Sequence, residues 1–366
     1  MFNIFRTHNK NSVILWIDHS LGGGTETYSK AQFRKLEKKY QIMRLQFIRT
    51  TNAFQITDIC RKRINFKSDN LNDIAVKCHD MNISEIVVNN LVGYDSSLEI
   101  LQWVTKLKAT HKNDPHVSFR LHDFQCICPS FNLIDNHGKF CHAGKNHNCE
   151  QCWKHNRLSP IDSADKILKS GARKICDWRQ QWSFFLTNVF SNNSAQILQA
   201  AYPTIKNKIH VVPHTVKKYP RVHIKPHNDI NIVVLGNMSY QKGADVIRHM
   251  ANELPRYQNT NIIIIGKMHD APKNVQVYGR YKTKHLPNII KKYRTDIIFI
   301  PSIWPETFSY TTSEAMSMGL PVACYDMGAP AERVKEYAHG LILKQISPSE
   351  NLKQIIDFIN NTKVNK

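Results

Sequence analysis

Residues 305–316 read PETFSYTTSEAM, and they follow an apolar run, DIIFIPS, at residues 296–302. The two glutamates of this stretch, Glu306 and Glu314, lie eight positions apart. Only hydroxyl-bearing and aromatic side chains separate them. Pro305 predicts an extended turn directly after the apolar run, which itself has the composition of a buried strand. The stretch therefore marks the carboxyl end of a strand, where a pair of carboxylates is unusual.

A helix is predicted to begin between Ser309 and Ser313, so that Glu314 lies in its first turns. A helix N-terminus at the mouth of a parallel sheet attracts anions, because its first N–H groups have no partner within the helix. The spacing Thr311-x-x-Glu314 also fits a capping box, which would give Glu314 a structural role only. Glu306 has no evident helical partner in the sequence. Both interpretations of Glu314 stay open at this point.

Strand-like and helix-like segments alternate on both sides of this stretch. The strand-like segments of the second half are INIVVLGN, NIIIIGK, VQVYG, DIIFIPS and PVACY. Helices are expected near ADVIRHMANEL, KHLPNIIKKY and TSEAMSMG, and a last amphipathic helix covers SENLKQIIDFINN. This alternation predicts a doubly wound parallel sheet with right-handed crossovers.

The first half of the chain shows the same alternation. Its strand-like segments are NSVILWIDHS, QIMRLQFI, ISEIVVNNLV, HVSFRLHD, FFLTNVFS and KIHVVPHTV. Helices are expected at TYSKAQFRKLEKKY, at EILQWVTKLKATH and over roughly residues 162–182. A Cys- and His-rich insertion interrupts the pattern at residues 124–158, and KKYPRVHIKPHND at 217–229 has the composition of a linker.

The sequence thus predicts an α/β protein with two Rossmann-like, doubly wound domains that face a central cleft. The first domain covers residues 1–216 and the second covers residues 230–347, on either side of the linker. The helix expected within residues 348–366 could cross back to the first domain. In such sheets ligands bind beyond the carboxyl ends of the strands.

Composition limits the class of protein. No apolar run approaches the roughly 18 residues that a membrane span needs, and the early run VILWI is too short for a signal-peptide core. We therefore expect a soluble, cytoplasmic protein. The formal net charge of +21, from 50 Lys and Arg against 29 Asp and Glu, favours anionic partners or reflects a compositional bias.

Two glycine-containing loops follow predicted strands. In LGGGTE, at residues 21–26, Gly23 and Gly24 let the backbone approach a ligand closely and offer amides to a phosphate, unless the loop is merely a tight turn. In VLGNMSYQKG, at residues 234–243, Lys242 precedes a helix and could meet a diphosphate, or could be a solvated loop lysine. Neither loop matches a dinucleotide-binding or P-loop motif.

The run PSIWPETFSYTTSEAMSMGLPVACYDMGAPAERV, at residues 301–334, resembles the E-x7-E signature of retaining GT-B glycosyltransferases, especially those of family 4. The glycine loop, GNMSYQKG, VVPHT and RLHD follow in the order and rough spacing of that family. The resemblance extends over nearly the whole chain. It implies a nucleotide-sugar-binding second domain and an acceptor-binding first domain.

The resemblance also implies a role for each matching residue. Glu314 would hold the ribose hydroxyls and Glu306 would lie near the donor sugar. The amides of residues 308–311, Phe308, Ser309, Tyr310 and Thr311, would meet the diphosphate. Lys242 would neutralise the leaving nucleoside diphosphate. Asn237 stands where the family often has arginine, and Ser309 stands where it commonly has glycine.

In the first domain the resemblance assigns His122 to the donor sugar, with Asp123 beside it. A His-Asp dipeptide alone is a weak signal, and a core histidine is the commoner explanation. The implied reaction is glycosyl transfer with retention, in which the acceptor hydroxyl attacks from the leaving-group side. The implied catalysis lies in positioning and charge stabilisation. It requires no metal cofactor, and the sequence has no D-x-D motif.

The insertion CICPSFNLIDNHGKFCHAGKNHNCEQCW holds five of the nine cysteines. Cys149 and Cys152 have zinc-knuckle spacing, and Cys128 and Cys141 could complete a structural site of four thiolates. His142 and His147 are substitute ligands. Reduced, uncoordinated cysteines are the alternative, and a disulfide is not expected inside a cell.

Basic side chains cluster on two predicted helices. They are Lys30, Arg34, Lys35, Lys38 and Lys39 on the first helix, and Lys166, Lys169 and Arg173 on the helix near 162–182, which continues into Trp178, Trp182, Phe184 and Phe185. Basic faces beside aromatic residues suit an anionic membrane surface. A solvated helix face with core aromatics is the alternative.

Taken together, the sequence predicts a retaining glycosyltransferase that moves a sugar from a nucleotide sugar to a saccharide acceptor. The resemblance adds a lipid-linked acceptor, bacterial surface polysaccharide synthesis and peripheral attachment to the cytoplasmic membrane face. One alternative is a nucleotide-sugar epimerase or hydrolase of the same fold. Another is a basic, zinc-containing nucleic-acid-binding protein, but the sequence carries no recognised nucleic-acid-binding signature, so no nucleic acid is expected as a partner.

Overall fold

The computed structural model describes residues 12–144, 148–156, 175–182 and 186–364. The chain divides into two compact units. Unit 1 comprises residues 1–136, 141–190 and 195–213, and unit 2 comprises residues 137–140, 191–194 and 214–366. Each unit is built around one sheet with helices packed on it, which confirms the predicted fold class.

The sheet of unit 1 has the strand order β4-β3-β2-β1-β5-β6-β7-β8. Its strands are β1 Val13–Ile17, β2 Gln41–Ile48, β3 Ala53–Asp58, β4 Arg63–Ser68, β5 Ile83–Val88, β6 His116–Arg120, β7 Leu186–Val189 and β8 Ile209–Val211. All neighbours pair in parallel except β3, which pairs antiparallel with both β2 and β4. The chain order reverses direction between β1 and β5, and ligands of open α/β sheets bind at such a switch point.

Among the described residues up to Ala201, the helices are α1 Gly23–Leu36, α2 Leu71–His79, α3 Ser97–Thr110, α4 Cys149–His155, α5 Ile175–Trp182 and α6 Asn192–Ala201. Side-chain caps explain two of the starts. Asn70 accepts a hydrogen bond from the Asn72 amide at 2.8 Å, and Ser96 accepts one from the Glu99 amide at 3.2 Å. These caps supply partners for amides that have none within the helix.

Unit 2 contains a wholly parallel sheet with the order β11-β10-β9-β12-β13-β14. Its strands are β9 Ile230–Met238, β10 Thr260–Met268, β11 Val275–Val277, β12 Ile297–Ile300, β13 Val322–Tyr325 and β14 Gly340–Leu343. The central strands are continuous apolar runs because helices cover both of their faces. This strand order is that of a dinucleotide-binding Rossmann sheet, and its switch point lies between β9 and β12.

The helices of unit 2 are α7 Ala244–Glu253, α8 Leu286–Lys292, α9 Tyr310–Ser317, α10 Gly328–Val334 and α11 Pro348–Val364. Helix α11 packs against α7 and β14 within unit 2. The sequence allows this helix to cross back to the first domain, but these contacts lie within unit 2. The buried face of α11 includes Leu352 and Ile355. Among the described residues, no helix combines the length and apolar composition that crossing a bilayer requires.

Several local expectations were wrong. The loop expected at residues 21–26 is shorter, because α1 begins at Gly23, and this helix ends at Leu36, before Lys38. The strands β3 and β4 were missed because their polar residues and half-buried positions give only a weak alternation. The linker expected to have little to bury contributes Tyr219 and Val222 to the core of unit 2.

Candidate functional site

Two loops meet at the switch point of unit 2. The first follows β9 and ends in Lys242, and the second follows β12 and contains Glu306. The backbones approach so closely that a Cβ on Gly243 would lie 2.1 Å from the carbonyl oxygen of Pro301. Gly243 also has a φ of 84°, a conformation that glycine adopts without strain. Glycine at this position therefore lets the two loops pack together.

Lys242 and Glu306, both singled out from the sequence, form an ion pair. The Lys242 ammonium lies 2.6 Å from Oε2 of Glu306, and Ser302 donates a hydrogen bond to the other carboxylate oxygen. Glu306 is only 5% exposed, whereas the Lys242 side chain is 36% exposed. Burial alone would raise the pKa of Glu306, but the Lys242 charge and the hydrogen bonds outweigh it and lower that pKa. A buried carboxylate thus stays ionised beside an accessible cation.

The loop between the two glutamates has a special backbone conformation at Ser309. This residue has φ 65° and ψ 93° and directly precedes α9, which begins at Tyr310 as the sequence predicts. A positive φ is unfavourable for any residue except glycine, which explains why a glycine suits this position. The Ser309 hydroxyl accepts a hydrogen bond from the buried Thr312 hydroxyl at 3.0 Å. The hydrogen bond with Thr312 therefore offsets part of the backbone strain at Ser309.

Arg333, on α10, holds this loop from one side, and the sequence analysis missed it. Its guanidinium donates to the carbonyl oxygens of Phe308 and Ser309, the latter at 3.0 Å, and to the Ser313 hydroxyl. In a trans peptide the N–H group points away from the C=O group, and the chain has no cis peptide bond among the described residues. The amides of Ser309 and Tyr310 consequently face away from Arg333.

The start of α10 also fixes the backbone of Glu306. The amide of Ala329 donates to the Glu306 carbonyl at 2.8 Å. Gly328 precedes it with a φ of 68°, and a Cβ there would lie 2.6 Å from the Glu306 nitrogen. Only glycine fits this close approach, so Gly328 positions the loop that carries Glu306.

Glu314 lies in the second turn of α9 and is half-buried. Burial raises the pKa of its carboxyl group to about 7, although the Lys217 charge acts in the opposite direction. Burial of the Tyr219 and Tyr281 hydroxyls raises their pKa, and the nearby Glu314 carboxylate raises it further. The capping-box interpretation was wrong, because the residue before α9 is Ser309 and Thr311 lies inside the helix.

His214 is a further residue of this region that sequence reasoning did not single out. Its ring stacks on Phe308 with the centroids 4.2 Å apart, and Phe308 also lies under the Arg333 guanidinium at 4.7 Å. Burial, followed by the Arg333 charge, lowers the pKa of His214 to about 3. His214 is therefore a neutral ring that supports the loop. In the sequence, the motif VVPHT contains His214 but indicates only the order and spacing of the family's motifs.

Asn237 lies in β9 itself rather than in a loop, and it is exposed. In the parallel register its neighbour on β10 is Lys267, which is also exposed. Residues paired in register on adjacent strands are only about 5 Å apart. A cation therefore stands beside the position where the resembling family often has arginine.

The residues predicted in the first domain lie in unit 1, at the ends of β1, β5 and β6. His122 donates from Nε2 to Oδ1 of Asn89 at 3.0 Å, because the Asn89 amide nitrogen faces a carboxylate, Oδ1 of Asp18, at 3.1 Å. Arg44 in turn pairs with Asp18 at 2.8 Å. This buried chain of partners fixes the tautomer of His122, and the sequence analysis found only its last member.

Asp123 and the glycines have mainly local partners. Asp123 accepts from the Asn90 side chain at 2.7 Å and from the Gln125 amide at 2.9 Å, and burial raises its pKa to about 6. Gly22 and Gly23 have φ values of 78° and 80° before and at the start of α1, with open space around both. Gly23 and Gly24 are exposed, which leaves their backbone accessible.

The predicted metal ligands Cys128, Cys141, Cys149 and Cys152 line one small cavity. None of the four is in a disulfide, and no three Cys, His, Asp or Glu side chains within the described ranges are already arranged to hold a metal ion. His147 lies outside the described residues.

Trp178 and Trp182 are core residues of unit 1, which favours the core interpretation of these aromatic side chains. The other predicted members of this basic and aromatic segment lie outside the described residues; they are Lys166, Lys169, Arg173, Phe184 and Phe185.

Residues 215–366 match the family described as glycosyl transferases group 1. Among solved structures, the chain is similar to HepE of Anabaena in complex with UDP-glucose, with a TM-score of 0.62, 14% identity and coverage of 96% of this chain and 90% of that chain. No curated protein sequence shows significant similarity to the chain.

Two further solved structures resemble the chain. The lipopolysaccharide outer core galactosyltransferase WaaB, in its apo form, has a TM-score of 0.59 at 13% identity, covering 96% of this chain and 91% of that chain. The sucrose-phosphate synthase of Thermosynechococcus elongatus has a TM-score of 0.60 at 10% identity, covering 95% and 90%. At such low identity these likenesses establish the fold. The chain therefore has the GT-B fold, and its residues 215–366 match the glycosyl transferases group 1 family.

Proposed function

We propose that this protein is a retaining glycosyltransferase whose unit 2 binds a nucleotide-sugar donor at the switch point between β9 and β12. The observation that carries the proposal is the pairing of Lys242 with the buried Glu306, 2.6 Å apart, next to the first turn of α9. An ionised carboxylate, an accessible ammonium and a helix start at one sheet edge suit a ligand with both hydroxyl groups and phosphates.

The diphosphate would lie against the first turn of α9. Arg333 supports this assignment, because its guanidinium donates to the carbonyls of Phe308 and Ser309, and the amides of Ser309 and Tyr310 therefore face the other side. Lys242 would neutralise the leaving diphosphate, and Lys267, beside Asn237, would supply the second cation. The half-buried carboxylate of Glu314 would accept hydrogen bonds from the two ribose hydroxyls.

The proposed reaction forms a bond between the anomeric carbon and the acceptor oxygen while the bond from that carbon to the diphosphate breaks. The acceptor hydroxyl attacks from the face of the leaving group, and the departing phosphate takes its proton. In unit 2, Glu306 would hold the sugar and Lys242 would stabilise the charge that develops on the diphosphate. His122 has the donor-sugar role that the resemblance implies. Catalysis in this scheme uses protein side chains and requires no divalent metal.

We further propose a saccharide acceptor, and a pocket of about 500 Å³ in unit 1 supports this. The pocket combines aromatic side chains with carboxylates and amides, among them Phe47, Tyr94, Asp95 and Glu99. Convergent polar groups beside aromatic surfaces suit a polyhydroxylated ligand. A lipid-linked saccharide is the acceptor class most consistent with the exposed cations Lys30 and Arg34 on α1, which suit an anionic membrane surface.

The direct test is a transfer assay with purified protein, a panel of nucleotide sugars and saccharide or lipid-linked acceptors, in the presence of EDTA. We expect release of the nucleoside diphosphate that depends on acceptor, and a product whose anomeric configuration, read by NMR, equals that of the donor. Glu306→Gln should lower kcat at least about 100-fold, as loss of a positioned charge does. The variant Glu350→Gln, on the exposed face of α11, should leave it unchanged.

The alternatives give different outcomes. Release of nucleotide at the same rate without acceptor would indicate a hydrolase, and a changed sugar still attached to nucleotide would indicate an epimerase. Steeply salt-dependent binding of nucleic acid without nucleotide-sugar binding would indicate a nucleic-acid-binding protein instead. Inversion of configuration would overturn the retaining assignment alone.

A further inference from the structure

We propose that the insertion of unit 1 binds one structural zinc ion through Cys128, Cys141, Cys149 and Cys152. These four residues come from three separate parts of the insertion, yet all four line the same small cavity. Its other walls are Leu133, Ile134, Trp153, Asn156 and Arg179. Four thiols around a cavity that is otherwise largely apolar form the donor set of a structural zinc site.

Local hydrogen bonds bring the four residues to this cavity. A turn closes after Cys128, whose carbonyl accepts from the Phe131 amide at 2.9 Å, and the Cys141 amide donates to Leu133 at 2.9 Å. Cys149 and Cys152 occupy the first turn of α4, three residues apart, and therefore share one helix face. Asn148 caps that helix by accepting from the Gln151 amide at 3.1 Å.

The electrostatics of the cavity also suit a thiolate cluster. Zn²⁺ with four thiolates carries a net charge of about −2, which needs a nearby donor or cation. Arg179 points a guanidinium N–H group at the Cys149 sulfur, 3.4 Å away, while its Nε donates to the Ile127 carbonyl at 2.8 Å. A fixed arginine beside the sulfurs is the kind of outer partner that stabilises ligated thiolates.

A zinc ion would crosslink segments of the insertion that have little regular secondary structure of their own. Between β6 and α5 its described residues contain one α-helix of seven residues, α4, a three-residue 3₁₀ segment at His142–Gly144, and otherwise mainly turns and irregular backbone. Zn–S bonds are about 2.3 Å long, so the thiols would rotate inward to reach a common ion. The free energy of metal binding then contributes directly to folding of the segment.

Cys126 is a cysteine of the insertion that differs from these four proposed ligands in its position. This residue lies in the same insertion and is only 2% exposed, but it does not line the cavity. Its carbonyl accepts from the Tyr202 hydroxyl instead. Cys126 should therefore pack as a small apolar side chain and should take no part in metal binding.

The test measures metal content in the full-length protein produced in zinc-supplemented medium, without reference to activity. We expect about one zinc per chain by elemental mass spectrometry, and a cobalt-substituted sample with the visible bands of tetrahedral thiolate coordination. Cys149→Ser and Cys152→Ser should each lower the zinc content at least about fivefold. Cys126→Ala and the exposed Cys60→Ser should retain it.

A second measurement keeps the test decisive if the cysteine variants fail to fold. Titration of the wild-type protein with an organomercurial thiol reagent, in the presence of a zinc-sensitive dye, should release the metal as the thiolates react. A protein without zinc, or a disulfide between any two of the four cysteines in peptide mass spectra, would overturn the proposal. Either result would leave the proposed transferase function untouched, because that function depends on residues of other segments.

Discussion

The ammonium of Lys242 and the carboxylate of Glu306 lie 2.6 Å apart at the switch point of unit 2. Because Glu306 is buried and Lys242 is not, removal of the lysine leaves an uncompensated buried charge. We expect Lys242→Met to destabilise the protein by about 2 kcal/mol at pH 7.5, and Glu306→Gln to do so by less. The double variant should lose less stability than the sum of the losses in the two single variants.

The midpoint of urea unfolding for the four proteins of this cycle measures the coupling. The lowered pKa of Glu306 means that the ion pair contributes stability above the ordinary carboxyl pKa and loses it as the pH falls through the folded-state value. The coupling should therefore vanish in acid. Lys284→Met, at an exposed position of unit 2, is the control. Strict additivity at pH 7.5 would mean that the pair is not formed in solution.

Glu314 should make stability depend on pH in the opposite sense. Its pKa of about 7 in the folded protein exceeds the unfolded value, so the folded state binds the extra proton between roughly pH 4.5 and pH 7. Stability from this group is fully present below pH 4.5 and falls as the pH rises through 7. Glu314→Gln removes the ionisable group, so it should raise the Tm at pH 8 and leave it nearly unchanged at pH 4.5.

Thermal unfolding of both proteins across this pH range tests the assignment. The Tm difference should grow with pH and become constant above about pH 8, because both states are then ionised. A difference that is equal at all pH values would contradict the raised pKa. The exposed Glu350, replaced in the same way, should show no such trend.

Arg333 should act on phosphate binding without touching the ligand. Its Nη2 donates to the carbonyls of Phe308 and Ser309 while its Nη1 donates to the Ser313 hydroxyl, an arrangement that the single ammonium of lysine cannot reproduce. We expect Arg333→Lys to raise the Kd for a nucleoside diphosphate about tenfold, which corresponds to about 1.4 kcal/mol. The Kd for the nucleoside without phosphates should change less than about twofold, because the ribose contact with Glu314 is unaffected.

Isothermal titration with the diphosphate and the nucleoside distinguishes this role from general destabilisation. Arg256→Lys, at a surface ion pair with Glu253, serves as the matched control. Equal weakening of both ligands by Arg333→Lys would show that the arginine supports the whole unit rather than the amides of the loop.

Asn89 is expected to act through His122 as a positioning residue. Asn89→Leu removes the acceptor that fixes the Nε2–H tautomer of His122. A misplacement of about 1 Å in a positioned group can cost about 100-fold in rate. We expect kcat to fall by about that factor while the donor KM changes less than about threefold, and the pH dependence of kcat to shift.

Asn89→Asp separates positioning from packing. It keeps an acceptor for His122 but places a second carboxylate beside Asp18, so it should preserve more of kcat than Asn89→Leu and lower the Tm more. If kcat followed the Tm in both variants, Asn89 would have a structural role only.

Much of the fold could be predicted because parallel strands are continuous apolar runs between helices. The same logic placed Lys242 and Glu306 at strand ends, although it could not reveal that β9 and β12 are neighbours. That adjacency depends on strand order, which sequence spacing does not specify. The antiparallel β3–β4 hairpin was missed because it is half-exposed, and its residues lack the continuous apolar pattern of the central strands.

Most supporting residues of the candidate site could not be found from sequence. Arg333 and Gly328 act through backbone contacts with a loop more than twenty residues earlier, and such contacts leave no local pattern. The role of Asn89 depends on its hydrogen bonds with Asp18 and His122, which are distant in sequence. The positive φ of Ser309 had one signal, the glycine that the resembling family commonly has at this position.

The central claim is that unit 2 binds a nucleotide through Glu314, and thermal-shift titration with UDP, GDP, ADP and dTDP tests it most directly. We predict that one of the four raises the Tm, by an amount equivalent to about 2.7 kcal/mol at 100 times its Kd. Glu314→Ala should abolish the shift and Glu350→Ala should keep it. No shift with any nucleotide in the folded wild-type protein, or an undiminished shift in Glu314→Ala, would contradict the account.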